Sequence, residues 1–289
     1  MYLGKKRREC CRLSVLVTLL TACAIIAVYQ HTPVDIDELF ASPFTKDDLR
    51  SLNLTLDTVL NVLNRLNVTY FMNGGTLLGS YRHHGRIPWD DDIDLMLNAS
   101  DKQLIWRSLT ALKPDYGLFL SGYLDSPYHW KVYPRRHGRA VLLKPYRWPY
   151  VDLLFFRENE THLCNESPWW RDECWSRSSV LPLRLRPFGD FYIPAPCDME
   201  RAVAVDYDTS VCVSRGWSHV YDLPMPWRSV TVPCATLAHL HPMVVRRSTV
   251  SSTGLHQVVA ESLMLGNRTL HTIILNNGCS YIPTVISVI

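Results

Sequence analysis

The sequence lacks a strong charge of either sign, an internal repeat and a Cys-x-x-Cys pair. The formal net charge is only +3, and much of the basic excess lies in residues 1–12, so a nucleic-acid partner is not indicated. Without a repeat, a solenoid or propeller architecture is not indicated either. With 47% apolar and 20% charged residues, the chain has an ordinary globular composition that can fill one sizeable core.

Charged residues are also missing from residues 13–29, which follow a basic tail at 1–12. The length of this run is at the short end for a bilayer span, and flanking basic residues stay in the cytoplasm. We therefore predict a cytoplasmic tail (1–12), a transmembrane signal anchor (13–29) and a stem (30–44). A signal peptide cleaved near Ala22 to Ala24 is the alternative, although no clean small-x-small site ends the apolar run. In both cases the body of the protein enters the secretory pathway.

Asparagine sequons agree with that compartment. Of eleven asparagines, six begin Asn-x-Ser/Thr, whereas chance placement would give roughly one or two. They are Asn53, Asn67, Asn98, Asn159, Asn165 and Asn267. The excess is consistent with a glycosylated lumenal domain, and a sequon that folding buries is expected to stay unmodified.

Six of the nine cysteines lie beyond the apolar N-terminal run, which also suits an oxidising compartment. Cys164 and Cys174 flank the tryptophan-rich stretch NESPWWRDE, and we predict a disulfide between them. A zinc site is the alternative, but neither a Cys-x-x-Cys pair nor a Cys/His ligand spacing supports it. The connectivity of the other cysteines cannot be read from the sequence.

Hydrophobic periodicity indicates the fold class. Apolar residues at 49, 52, 56, 59, 60, 63 and 66 predict a helix, with Thr45 as its N-cap and Asp48 in the capping box. Strands are predicted within 68–72, 93–97, 128–134 and 140–156, a second helix at 101–114, an irregular stretch from about 157 to 200, and a last helix within 197–211. This order predicts an α+β domain over residues 45–228, with a small mixed sheet and flanking helices.

Residues 229–289 differ from the rest of the chain because they contain a single acidic residue, Glu261, and show no clear period. We assign them no role. An accessory β-rich segment, a poorly ordered tail and an aberrant C-terminus remain open as interpretations.

Four aspartates occupy five consecutive positions in WDDDIDLML, residues 89–97. Clustered carboxylates repel one another and are costly to desolvate unless a cation neutralises them. In a strand, Asp92 and Asp94 share one face, and Asp90 can join them from the preceding turn. Ligation by oxygen alone favours Mg²⁺ or Mn²⁺, an ion that stabilises charge in phosphoryl transfer. Asp152, in YVDLLFF, is predicted to complete the site; a calcium-stabilised or solvated acidic turn is the alternative.

Glycines precede this cluster in GGTLLG, where Gly74 and Gly75 directly follow a predicted strand. Glycine allows the backbone to approach a phosphate closely, and the N-terminus of a helix favours an anion. An ordinary tight turn is the alternative. A strand, a glycine pair and a helix, followed by a strand that carries Asp-x-Asp, form the layout of the nucleotidyltransferase fold.

The stretch FMNGGTLLGSYRHHGRIPWDDDIDLML, residues 71–97, resembles the core signature of the LicD/fukutin family. The resemblance extends over roughly residues 58–228. It implies a domain that transfers a phospho-alcohol, of the phosphocholine or ribitol-phosphate type, from a CDP-activated donor to a hydroxyl of a glycan or glycoprotein. It also implies a location in the Golgi or ER membrane, with the catalytic domain lumenal. The oligomeric state is not indicated.

The resemblance also implies roles for individual residues. The metal-binding aspartates would be Asp90, Asp92 and Asp94, the phosphate turn would be Gly74, Gly75 and Thr76, and Arg82 would lie over the donor pyrophosphate. Asp91 falls at a variable position, so we expect it to face solvent or to support the ligands from behind.

Residues outside the signature complete the predicted site. We expect Asp90 or Asp152 to deprotonate the acceptor hydroxyl, and Lys131, on an aromatic-lined strand, to contact the donor phosphates. His83 and His84 are expected to lie in a loop. Two other functions remain open: a glycosyltransferase that uses Asp-x-Asp with a nucleotide-sugar, and a non-catalytic relative that binds lumenal glycans.

Overall fold

The structure is a computed structural model that describes residues 35–123, 126–170, 172–250, 257–276 and 279. The predicted tail and signal anchor lie outside these residues. Within the described part of the chain, no helix is long and apolar enough to cross a membrane. The chain divides into two units, Met1–Leu39 and Phe40–Ile289, and in the first of them the structure describes one short helix, α1 (Ile36–Leu39).

The second unit begins with the predicted amphipathic helix, α2 (Lys46–Leu66). Thr45 Oγ1 accepts the Asp48 N–H at 3.2 Å, and Asp48 Oδ2 accepts the Thr45 N–H at 2.9 Å, so the predicted capping box is confirmed. Leu52, Leu56 and Leu63 are almost fully buried, which confirms the helical period read from the sequence.

The other elements follow in chain order. The helices are α3 (Gly74–His83), α4 (Lys102–Thr110), α5 (Arg177–Val180) and α6 (Met199–Val203), with 3₁₀ turns at Ala99–Asp101, Pro226–Arg228 and Cys234–Leu237. The strands are β1 (Tyr70–Met72), β2 (Asp94–Asn98), β3 (Tyr116–Tyr123), β4 (Ser126–Pro134), β5 (Arg139–Ala140), β6 (Arg147–Trp148), β7 (Val151–Glu158), β8 (His162–Asn165), β9 (Cys174–Ser176), β10 (Arg184–Phe188), β11 (Phe191–Ala195), β12 (Val211–Val213), β13 (Trp217–Ser218), β14 (Leu223–Pro224), β15 (Thr231–Pro233), β16 (Met243–Val250), β17 (Gln257–Leu265) and β18 (Arg268–Asn276).

A seven-stranded sheet forms the centre of this unit, in the order β1-β2-β7-β4-β3, with β8 paired to β7 and β9 paired to β8. Strands β2 and β7 are parallel, and the other pairs in this sheet are antiparallel. Helix α2 packs on β4, β7 and α4, and α3 packs beside β2. The predicted α+β class, with a mixed sheet and flanking helices, is therefore confirmed.

The apolar run 140–156 contributes strands as predicted, and it is divided between β5, β6 and β7 because Pro145 and Pro149 cannot donate backbone hydrogen bonds. Two other local predictions were wrong. The stretch 157–200 is not irregular, since it contains β8 to β11 as short hairpin strands with a weak alternation pattern. The last helix is limited to α6, because residues 206–210 turn away from it through the Asp208–Ser210 hydrogen bond.

The C-terminal segment, residues 229–289, forms an accessory β structure where it is described. Strands β16, β17 and β18 make an antiparallel sheet, and β15 pairs with β12. Disulfides Cys212–Cys234 and Cys197–Cys279 link this segment to the preceding chain, across the boundary that we predicted at residue 228. The predicted Cys164–Cys174 disulfide is also confirmed.

Glu261 anchors the C-terminal sheet to the end of α3. It is 3% exposed and accepts from Arg186 Nη2 at 2.5 Å and from Arg246 Nε at 2.9 Å, and its Oε2 lies 2.9 Å from His84 Nε2. Arg246 in turn donates to the Tyr81 carbonyl oxygen in the last turn of α3. This segment therefore holds the C-terminal end of the helix whose first residues are the glycine pair.

His83 and His84 do not lie in a loop as predicted. His83 is the last residue of α3, and His84 ends the helix in the left-handed conformation, with φ of 49°. Both side chains are buried, because the C-terminal segment covers them: His83 Nδ1 lies 2.7 Å from the Pro242 carbonyl oxygen.

Candidate active site

Neighbouring strands bring three charged side chains into one row across the sheet. Asp94 on β2 pairs in register with Asp152 on β7, and Lys131 on β4 pairs with Asp152 from the other side. Residues that are opposite each other on adjacent strands project from the same face of a sheet. The register therefore explains why side chains so distant in sequence meet here.

Three carboxylates converge at this row. Oxygens of Asp92, Asp94 and Asp152 all lie within 4.8 Å of one another. Burial and repulsion from neighbouring carboxylates raise the pKa values of Asp92 and Asp94 well above their usual range. An all-oxygen ligand set suits Mg²⁺ or Mn²⁺, and a divalent cation would offset this repulsion, so the residues present fit the predicted ion.

Asp152 differs from the other two carboxylates because two basic side chains contact it. Lys131 Nζ donates to Oδ1 at 2.8 Å and to Oδ2 at 2.9 Å, and His129 Nε2 lies 3.0 Å from Oδ1. Burial alone would raise the pKa of Asp152, but Lys131 and His129 lower it far below its usual value. Lys131 thereby compensates one of the three carboxylates, and the charges of Asp92 and Asp94 are left for a cation.

Lys131 is itself deeply placed. It is 6% exposed, and its ammonium lies 3.9 Å from the ring centroid of Tyr150. The sequence suggested a contact with donor phosphates, but it did not indicate the ion pair with Asp152 that the structure shows.

The glycine pair allows two aspartates to approach the start of α3. Gly74 has φ of +52°, and a Cβ at this position would lie 3.2 Å from Asp94 Oδ2. A Cβ on Gly75 would lie 2.5 Å from Asp90 Oδ2. A side chain at position 74 would therefore displace the Asp94 carboxylate, and one at position 75 would displace the Asp90 carboxylate.

Asp90 lies apart from the three converging carboxylates, on the Gly75 side. It lines a cavity of about 430 Å³ together with Gly75, Arg82 and Trp217. Arg82 is 7% exposed, and its Nη1 donates to the Val211 carbonyl oxygen at 3.1 Å. The structure thus places Asp90 and Arg82 in one cavity, beside the glycine turn.

Thr76 connects the glycine turn to the aspartate strand. Its Oγ1 accepts the Asp94 N–H at 2.7 Å, and the residue is 3% exposed. The hydroxyl therefore fixes the start of α3 against β2.

Asp91 is fully buried, so the expectation that it faces solvent was wrong. Its Oδ2 accepts the His219 N–H at 3.0 Å, its Oδ1 lies 2.6 Å from His219 Nδ1, and Arg215 Nη1 lies 3.5 Å from Oδ2. Burial opposes ionisation, but His219 and Arg215 lower the pKa of Asp91 below its usual value. Because His219 Nε2 lies 3.2 Å from Asp92 Oδ2, Asp91 supports the carboxylate cluster from behind.

Sequence reasoning missed His219 as a site residue. It lies 128 residues from Asp91, and no local period or motif in GWSHVYD predicts that the two side chains meet. The one hint in the sequence was the run of four aspartates. If one of these carboxylates is buried, it needs a hydrogen-bond donor, which a distant part of the chain can supply.

We predict that Asp91→Asn lowers the free energy of unfolding by about 1–3 kcal/mol, since it removes the buried charge that pairs with the His219 and Arg215 donors. Urea unfolding of the variant measures this change. Asp190→Asn, at an exposed turn position, serves as the matched control and should unfold like the wild type. If the two variants were equally stable, Asp91 would not hold His219 in the way described.

A second cavity, of about 210 Å³, is lined by the three carboxylates themselves. Its lining includes Asp152 and His129, and also Asn165, Trp170 and Glu173 from the segment closed by Cys164–Cys174. Tyr207 and His219 line both cavities. The three carboxylates therefore line the cavity beside the tryptophan-rich loop, whereas Asp90 lines the cavity beside the glycine turn.

Comparison with known proteins identifies relatives for this part of the chain. The sequence model described as "LicD/FKTN/FKRP, nucleotidyltransferase domain" matches residues 67–198. Ribitol 5-phosphate transferase FKRP of Mus musculus and that of Homo sapiens are each 26% identical over 167 residues, which is 56% of this chain and 32% of theirs. Lipopolysaccharide cholinephosphotransferase LicD of Haemophilus influenzae is 41% identical over 58 residues, 20% of this chain and 22% of its own. The chain thus spans a third or less of the length of these relatives.

Proposed function

We propose that this chain, which matches the LicD/FKTN/FKRP nucleotidyltransferase-domain model over residues 67–198, transfers a phospho-alcohol from a CDP-activated donor to a hydroxyl of a glycan or glycoprotein. The relatives are named for the transfer of ribitol 5-phosphate and of cholinephosphate, which supports this reaction class. The observation that carries the proposal is the convergence of Asp92, Asp94 and Asp152 at the wall of one cavity, with Asp90 and Arg82 lining a neighbouring cavity that shares Tyr207 and His219 with it.

In this proposal Asp92, Asp94 and Asp152 would hold Mg²⁺ or Mn²⁺, with Asp90 close by on the donor side. The bound ion would supply charge stabilisation to the phosphates during the displacement. Lys131 keeps Asp152 ionised, which suits a ligand, and the Asp91–His219 pair holds the Asp92 side chain in place.

The cavity beside the glycine turn is the proposed donor site. Gly75 allows the pyrophosphate to approach the start of α3, where a helix favours negative charge. The Arg82 guanidinium lines the same cavity and can neutralise a phosphate. Trp217, 42% exposed at the wall of this cavity, offers a face on which the base can stack.

The proposed transfer is a displacement at the distal phosphorus of the donor. The acceptor oxygen forms the new P–O bond, the bond from that phosphorus to the bridging oxygen breaks, and CMP leaves. A carboxylate takes the acceptor proton. The two candidates are Asp90, whose pKa is raised by burial and by Asp91, and Asp152, whose pKa is lowered by Lys131 and His129.

A thermal-shift screen tests the proposal with the described domain and CDP, GDP and UDP compounds, each with and without Mn²⁺. We expect CDP compounds to raise the melting temperature in the presence of Mn²⁺, since a ligand that binds the folded state stabilises it by about 2.7 kcal/mol at a hundred times its Kd. A shift with UDP- or GDP-sugars instead would favour the Asp-x-Asp glycosyltransferase. A protein that responds to no nucleotide would favour the non-catalytic glycan-binding relative.

We also propose that the domain is lumenal, in the Golgi or ER, and attached to the membrane by residues 13–29. The described residues agree with glycosylation at several sequons, because Asn53, Asn67, Asn159 and Asn267 are exposed.

Asn165 should be the sequon that stays unmodified. It is 5% exposed, and its Nδ2 donates to Glu173 Oε2 at 2.8 Å, so the nitrogen is not accessible to a glycosylating enzyme. Peptide mapping after enzymatic deglycosylation in heavy-oxygen water would label each site that carried a glycan. We expect labels at exposed sequons and none at Asn165; a protein from secretory cells without any label would contradict the lumenal location.

A further inference from the structure

The loop between β8 and β9 runs toward the carboxylate cluster. Its base is closed by the Cys164–Cys174 disulfide, and β8 pairs antiparallel with β7, with Asn165 opposite Phe156. The chain after Asn165 therefore continues along β7 toward the end that carries Asp152. The Glu166 N–H donates to the Phe155 carbonyl oxygen at 2.8 Å, which keeps the loop on this course.

Two tryptophans of this loop are exposed although they are large and apolar. Trp169 is 77% exposed and Trp170 is 42% exposed. Trp169 Nε1 donates to the Tyr128 hydroxyl at 2.7 Å, and the Trp170 ring lies 6.4 Å from the His129 ring. Both partners belong to β4, the strand that carries Lys131, so the two indoles are held against this strand.

Polar groups stand next to these rings. Trp170, Asn165 and Glu173 line the cavity that opens onto Asp152. Asn165 donates to one carboxylate oxygen of Glu173, Oε2, and no hydrogen bond to Oε1 is shown among the described residues. An aromatic face beside hydrogen-bonding groups is the combination that binds an amphipathic ring.

We propose that Trp169 and Trp170 form the acceptor subsite of this enzyme and that its occupant is a saccharide; this inference rests on the proposed function. A sugar ring has a face of C–H groups that packs on an indole and an edge of hydroxyls that bonds to a carboxylate and an amide. A second nucleotide does not suit this cavity, because the Glu173 carboxylate in its wall repels phosphate. A neutral polyhydroxylated ring meets no such repulsion and can direct a hydroxyl toward the cluster.

The loop is built so that the subsite is formed before the ligand arrives. Ser167 is fully buried, its N–H donates to Asn165 Oδ1 at 2.9 Å, and the Trp170 N–H donates to the Ser167 carbonyl oxygen at 3.2 Å. Together with the disulfide, these bonds reduce the conformational entropy that binding would otherwise cost.

The test uses an immobilised panel of neutral oligosaccharides that contain mannose, galactose and N-acetylhexosamines. Wild type is compared with the double variant Trp169→Ala/Trp170→Ala and with Trp106→Ala, whose tryptophan is 44% exposed on α4, outside the described cavities. We expect the double variant to bind the preferred saccharide at least tenfold more weakly and the Trp106→Ala control to bind like wild type. Circular dichroism checks that both variants are folded.

Equal binding by wild type and the double variant would overturn the subsite, as would the absence of binding to every saccharide by wild type. Saccharide binding is measured without donor, and donor binding is measured separately by the thermal shift with CDP compounds. If CDP compounds failed to bind but saccharide binding depended on the tryptophans, the proposed transfer would fail while the saccharide site would stand. If CDP compounds bound and the double variant bound the saccharide as tightly as wild type, the proposed subsite would be wrong but the proposed function would not be contradicted.

Discussion

Asp92→Asn and Asp94→Asn should each reduce transfer by several orders of magnitude and leave the fold intact. Each variant removes one negative charge from the three-carboxylate cluster at nearly constant shape. The ion supplies several kcal/mol of transition-state stabilisation, and each 1.36 kcal/mol corresponds to about tenfold in rate. Because burial and repulsion between neighbours raise the pKa of both aspartates, losing one charge should leave the free energy of unfolding unchanged or higher.

Release of CMP from a CDP-activated donor measures the first effect, and urea unfolding measures the second. Asp190→Asn is the matched control, since it removes the same charge at an exposed position. If Asp92→Asn unfolded the domain without changing metal affinity, the cluster would be structural and the enzyme interpretation would lose its main support.

Glu261→Gln should lower the free energy of unfolding by about 3–5 kcal/mol, the cost of removing one partner from a buried ion pair. The change leaves the Arg186 and Arg246 guanidinium groups without their carboxylate, and Arg186 is 6% exposed. Urea unfolding measures the loss, and Glu160→Gln, at an exposed position, is the control. A loss no larger than that of the control would mean that the C-terminal segment is not anchored through Glu261.

The same network has a pH dependence. Burial opposes the charged form, but His84 and the two arginines lower the pKa of Glu261 to about 2, below its usual value of 4.5. A carboxyl group whose pKa is lower in the folded state contributes stability above the unfolded pKa, and this contribution is lost as pH falls toward the folded pKa. The stability difference between wild type and Glu261→Gln should therefore be largest above pH 5 and shrink toward pH 2. A difference independent of pH would contradict this origin.

The features that the sequence predicted are those encoded by short spacings. The capping box at Thr45, the glycine pair before α3 and the alternation that places Asp92 and Asp94 together each depend on residues a few positions apart. Such patterns report local backbone geometry, so they could be read before the fold was known.

The features that the sequence did not predict depend on contacts between distant segments. The Lys131–Asp152 ion pair requires the register of β4 against β7, and the Asp91–His219 pair joins residues 128 positions apart. The sequence shows that Glu261 is the single acidic residue of its segment. The structure is needed to show that Arg186 is one of its partners. A single sequence carries no signal for such partners, because burial and register are properties of the whole fold.

Direct titration with Mn²⁺ in the presence of CDP tests the central claim, that the clustered aspartates form a metal site for phosphoryl transfer. Electron paramagnetic resonance distinguishes free from bound Mn²⁺ in the wild-type domain and in Asp94→Asn. We expect saturable binding to the wild type and a loss of at least tenfold in affinity for Asp94→Asn, with an unchanged circular dichroism spectrum. Saturable binding of equal strength in both proteins, or no binding by the wild type, would contradict the account.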